Sequence, residues 1–105
     1  MIDQVIQELH ALKKNATPSE IALLDIKTFK AYTKNQCIYG QMTGSCDSAR
    51  AKELTPKTTN LYNHDRAVFT PLEVYLLRLP REAKKSTHKR IINFLKGGQK
   101  TITLR

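Results

Sequence analysis

Apolar residues at Ile2, Val5, Ile6, Leu9 and Leu12 return every three or four positions, which places them on one face of a helix over residues 2–14. Lys13 and Lys14 suit the negative end of its dipole, and Asn15 can leave the helix. Thr17-Pro18-Ser19-Glu20 is a helix start: the threonine hydroxyl caps, proline gives up no needed N–H, and Glu20 closes a capping box. In the helix that follows, Ile21, Leu24, Thr28 and Tyr32 line one side, while Leu23, Ile26 and Phe29 spread apolar surface onto others. So wide an apolar arc predicts a central helix running to about Tyr32 or Lys34.

The pattern then changes. Cys37, Ile38 and Tyr39 read as a short strand, with Gly40 and Gly44 supplying positive φ in a tight loop. Asp47 or Ser48 can cap a short helix, Ala49 to Leu54, that ends before Pro56. Residues 55–67 are polar and turn-rich, and are expected to form the longest irregular stretch.

Thr70-Pro71-Leu72-Glu73 repeats the start signature for a helix over 71–79, halted by Pro80. It is apolar nearly all round, so burial is expected, with Leu76 and Leu77 joining Leu24 in the core. The last helix is expected from about Ser86 to Lys96, stopped by Gly97-Gly98. Residues 100–104 (KTITL) alternate like an edge strand that could pair with the Cys37–Tyr39 segment. The expected architecture is a single domain over residues 1–105, α+β and mostly helical, with four or five helices and a minor two-stranded sheet.

Composition sharpens this picture at one point, the charge. The net charge is +9, and it is unevenly spread. Residues 1–36 carry five Lys/Arg against four Asp/Glu, and so do residues 37–80. Residues 81–105 carry eight against Glu82 alone, a local excess of +7. Such a block attracts phosphates, an acidic membrane surface or an acidic protein face. In the last helix Lys85, Lys89 and Lys96 fall within about a 40° arc. Ile91, Ile92, Phe94 and Leu95 lie on the other side, with His88 among them. One face can dock on the core while the lysines, with Arg81, Lys84, Arg90 and Lys100 nearby, follow a phosphate backbone. The bland alternative is a solvated surface helix. The helices at 71–79 and 85–96 could also form a helix-turn-helix, although the connection holds Pro80 and no glycine turn.

Other chemistry is thinly represented. No apolar run is long enough for a membrane span, and the N-terminal residues lack the pattern of a signal peptide, so a cytoplasmic protein is expected. Cys37 and Cys46 could bridge, but in that setting reduced thiols are expected. With His64 and Asp65 they are the one conceivable zinc set, and their spacing does not suit zinc, so no metal is expected. His64-Asp65-Arg66 could act as acid, orienter and phosphate clamp, yet an adjacent pair in a turn-rich segment is more often a turn. No paired-carboxylate site, nucleophile elbow, phosphate loop or dinucleotide fingerprint is present, so neither catalytic residues nor cofactors are expected. Ser45, Ser48 and Arg50, at the start of the 49–54 helix, form a secondary candidate anion site.

The stretch CIYGQMTGSCDSARAKEL, residues 37–54, resembles parts of small uncharacterised proteins encoded by tailed bacteriophages. That resemblance implies an accessory protein that binds a host or phage macromolecule, and implies no fold and no catalytic residue. The leading expectation is a non-enzymatic protein that binds DNA, RNA or another polyanion through its C-terminal basic helix. The alternative is a small inhibitor or adaptor that covers an acidic face of a host protein. Oligomeric state is not legible in the sequence.

Overall fold

The structure, a computed structural model, describes residues 2–30, 33–55 and 70–104, and the backbone alone at 62–64 and 67–69. Six α-helices build the body: α1 (Ile2–Asn15), α2 (Pro18–Ala22), α3 (Ile38–Thr43), α4 (Ala49–Leu54), α5 (Pro71–Arg78) and α6 (Arg81–Leu95). A 3-10 turn over Ile26–Thr28 lies between α2 and α3. The backbone of Tyr62–His64 runs antiparallel to that of Ala67–Phe69. Most of the stretch expected to be irregular, including residues 56–61, Asp65 and Arg66, lies outside the described residues.

The hub is α1, on which α4, α5 and α6 all pack. Val5, Leu9 and Leu12 are fully enclosed there, each stabilising the fold by about 1.5–3 kcal/mol. Of the two segments expected at the centre, 71–79 lies there, with Pro71 to Leu76 buried on α5, whereas 18–34 is not one helix: the helix begun at Thr17 stops after five residues. Its capping box forms as read, with Thr17 and Glu20 exchanging bonds. Beyond Leu23 the chain is claimed by side chains from far away. Gln41 clamps Asp25 at both ends, accepting from its N–H at 2.8 Å and donating to its carbonyl at 2.9 Å. The Asp25 carboxylate caps the Lys27 N–H at 3.0 Å, and the Ile26 N–H donates to His88 Nδ1 at 3.2 Å. By turning here, the chain buries Leu24, Ile26 and Phe29 together, which a straight helix would spread over separate faces, and leaves Leu23 exposed.

The expected strand at Cys37–Tyr39 is instead the start of α3. The Cys37 sulfur serves as the N-cap, accepting from the Gly40 N–H at 3.3 Å. Gly44 does take positive φ, at 93°, and ends α3. Gly40 is helical and answers a different need: a Cβ there would lie 2.0 Å from the Lys34 carbonyl oxygen. Residues 101–104 form no strand either. Their alternation is real in burial, with Ile102 and Leu104 inward and Thr101 and Thr103 outward, but no sheet receives them. The Arg90 guanidinium donates to the Thr103 carbonyl at 3.3 Å and holds the segment against α6.

The other helices follow the sequence closely. Ser48 caps α4, and Thr70 with Glu73 forms the second capping box, on α5. Leu76 is 0% exposed, whereas Leu77, expected in the core, is 41% exposed because the last turn of α5 rotates out to solvent. The start of α6 comes at Arg81 rather than near Ser86. Pro80 precedes it, and Arg, Glu, Ala and two Lys are all good helix formers, so the helix needs no side-chain cap. Gly97, at φ 88°, lies just past its end. The helix-turn-helix reading gains no support, since α5 and α6 each pack chiefly on α1.

Three helices meet at a buried polar junction. Tyr39 of α3 donates its hydroxyl to Glu8 Oε2 at 2.6 Å, and the Leu72 N–H of α5 donates to Glu8 Oε1 at 2.9 Å. Glu73 sits nearby, accepting from the N–H of Thr70 at 3.2 Å. Glu8 and Glu73 are 0% and 5% exposed, and among the described residues no buried side-chain polar atom lacks a partner. Burial raises the pKa of Glu8 against the pull of those hydrogen bonds. Burial, with the Glu8 charge adding to it, pushes Glu73 up to about 7.

Candidate polyanion interface

The solvent face of α6 follows directly from its pattern. Thr87, Ile91, Phe94 and Leu95 turn inward, and the opposite arc exposes Lys85, Lys89 and Lys96. The first and last lysines stand eleven positions apart, so the stripe runs about 16 Å, the axial rise of roughly five phosphates on one strand of a duplex. Arg81 and Lys100 are exposed beyond its ends, and Lys84 is half-buried on its flank. Arg90 belongs to the packing instead: besides Thr103 it reaches the Thr87 hydroxyl at 3.5 Å.

No carboxylate among the described residues pairs with this face. Among the described residues the ion pairs are Lys34–Asp47, Arg50–Glu20 and Arg50–Glu53, all away from α6. Glu82 is the lone carboxylate on α6, and it pairs with none of the lysines. His88 adds no charge at neutral pH. Burial lowers its pKa against the opposing pull of Asp25; Lys27 and Lys96 lower it further, and its Nδ1 accepts the Ile26 N–H.

Folding brings in one cation that the linear charge count did not assign to this end. Lys13, at the end of α1, donates to the Gln99 carbonyl at 2.8 Å and lies 4.6 Å from the centre of the Phe94 ring. Its ammonium therefore joins the C-terminal end of α6. In the sequence this lysine read only as a complement to the dipole of α1. A local charge tally had no means of moving it eighty residues along the chain.

At the secondary candidate anion site, Ser45, Ser48 and Arg50 all have partners within the chain. The Arg50 guanidinium grips Glu20 through two bonds of 2.8 Å, reaches Glu53 at 3.2 Å and donates to the Asn15 carbonyl at 2.9 Å. These bonds hold the Glu20 carboxyl down at about 2. Ser48 is spent on the Ala51 N–H and on Thr43, and Ser45 accepts from the Asp47 N–H. Through these bonds the segment ties α2, α3 and α4 together.

Among the described residues no group of three or more His, Cys, Asp or Glu side chains gathers as metal ligands would. Cys37 is buried and its thiol is pushed up to about 12, chiefly by that burial, while Cys46 is half-buried. The side chain of His64, and Asp65 and Arg66 entirely, lie outside the described residues. No described helix is long and apolar enough to cross a membrane. The chain matches no family model, and it has no significant match among curated proteins or solved structures.

Proposed function

We propose that this is a non-enzymatic nucleic-acid-binding protein that holds the phosphate backbone along α6. One observation carries the reading: Lys85, Lys89 and Lys96 share an exposed helix face, with no carboxylate paired to them among the described residues, within the most basic part of the chain. A lysine is a compact point charge without the planar fork that reads a guanine edge, so such a stripe favours backbone contact over base readout. Binding of this kind is driven by counterion release and is tolerant of sequence. The resemblance of residues 37–54 to small tailed-phage proteins is compatible with an accessory role of that type.

Purification with and without nuclease separates this reading from its rival. Nucleic acid that copurifies and is stripped by salt supports backbone binding. A stoichiometric protein partner that survives nuclease treatment supports the alternative, an adaptor or inhibitor seated on an acidic protein face.

A further inference from the structure

The Cys37 thiol and the Cys46 backbone N–H converge on one carbonyl just before α3. The Cys37 Sγ donates to the Lys34 carbonyl at 3.7 Å, and the Cys46 N–H donates to the same oxygen at 2.9 Å. Cys46 is near enough to add to the rise in the Cys37 thiol's pKa, after the larger effect of burial. The turn from Lys34 to Cys37 and the loop after Gly44 are thus drawn together, and a second tie, Lys34 to Asp47 at 2.7 Å, spans the same gap. Their exposures differ: Cys37 is enclosed, while Cys46 is half-open to solvent.

We propose that Cys37 and Cys46 are a reversible oxidation site that closes to an intramolecular disulfide on reaction with a small-molecule disulfide. The accessible Cys46 enters first. Its thiolate forms a bond to one sulfur of the reagent, and the other sulfur leaves as a thiolate, giving a mixed disulfide on Cys46. The Cys37 sulfur then attacks Cys46 Sγ, its proton passes to solvent or to the departing group, and the second small thiol leaves. Two protein thiols are oxidised, one reagent disulfide is reduced to two thiols, and the exchange runs backwards with excess thiol. The order is set by the fold. Burial disfavours the Cys37 thiolate, so Cys37 is a poor first nucleophile. Once Cys46 carries the reagent, its neighbour needs no diffusion to reach it. The bridge would close a short loop around the whole of α3 and leave α6 untouched.

The test treats the folded protein with oxidised glutathione and reads intact mass and alkylatable thiols without reduction. The wild type should become two hydrogens lighter, lose both free thiols and recover them with excess reduced thiol. Cys37→Ser, which keeps a capping oxygen, should stop at a stable glutathione adduct on Cys46, and Cys46→Ser should react far more slowly. A wild-type protein that retains the glutathione adduct, links chain to chain, or stays unreacted while Cys37→Ser forms its adduct would overturn the proposal. So would a Cys46→Ser variant that reacts as fast as the wild type.

Discussion

Raising the pH from about 5 to about 8 should weaken this fold, and Glu73 should be the main cause. Its carboxyl is buried beside Glu8, and no described cation pairs with either. Burial shifts it from an ordinary 4.5 up to about 7 in the folded chain. Between those two values the folded state holds a proton that the unfolded state has released. Stability from this group is therefore complete below 4.5 and is lost as the pH rises through about 7. The shift corresponds to about 3 kcal/mol, a large share of the stability of a domain this size. Glu8 is moved in the same direction, also by burial. His88 works the other way, since its lowered pKa adds stability that is lost as the pH falls. Comparing wild type with Glu73→Gln cancels that term. Urea unfolding followed across this pH range should show a falling midpoint for the wild type and a clearly flatter profile for Glu73→Gln. A wild-type midpoint that holds or rises, or a variant that falls just as steeply, would refute the reasoning about the junction.

Adjacent leucines on α5 should behave very differently. Leu76→Ala empties an enclosed site and should cost about 2–5 kcal/mol by urea titration, whereas Leu77→Ala should cost under about 1 kcal/mol; equal losses would place the helix wrongly. Gly40→Ala forces a methyl group into the Lys34 carbonyl and should cost roughly 1–3 kcal/mol or more. A loss below about 0.5 kcal/mol by the same titration would mean that α3 and the preceding turn do not approach so closely.

How much of this was legible depends on how local each signal is. Both capping boxes and the face of α1 are written within a few consecutive residues, and they form as read. The break after Leu23 is not, because Gln41 and His88 decide it from distant parts of the chain. Cys37 as an N-cap has no customary signature, and apolar Ile38 and Tyr39 beside it suggested a strand. The burial of Glu8 was available in principle. It stands three residues from Val5 and four from Leu12, on the apolar face, where a carboxylate is rarely enclosed without a partner. In the candidate interface the lysine stripe was readable from the helical period. The withdrawal of Arg90 into packing and the arrival of Lys13 were not, since both depend on what the C-terminal segment touches.

The claim that α6 binds phosphates is tested most directly by titrating labelled DNA and RNA with wild type and with the triple variant Lys85→Ala, Lys89→Ala, Lys96→Ala at several salt concentrations. Wild-type affinity should fall steeply with salt, and the variant should bind all sequences more weakly, with a log–log slope flatter by about 2–3 units. Its urea midpoint should be nearly unchanged, since exposed unpaired lysines contribute little to the fold. No binding by the wild type at low salt, or equal binding by the triple variant, would contradict the account.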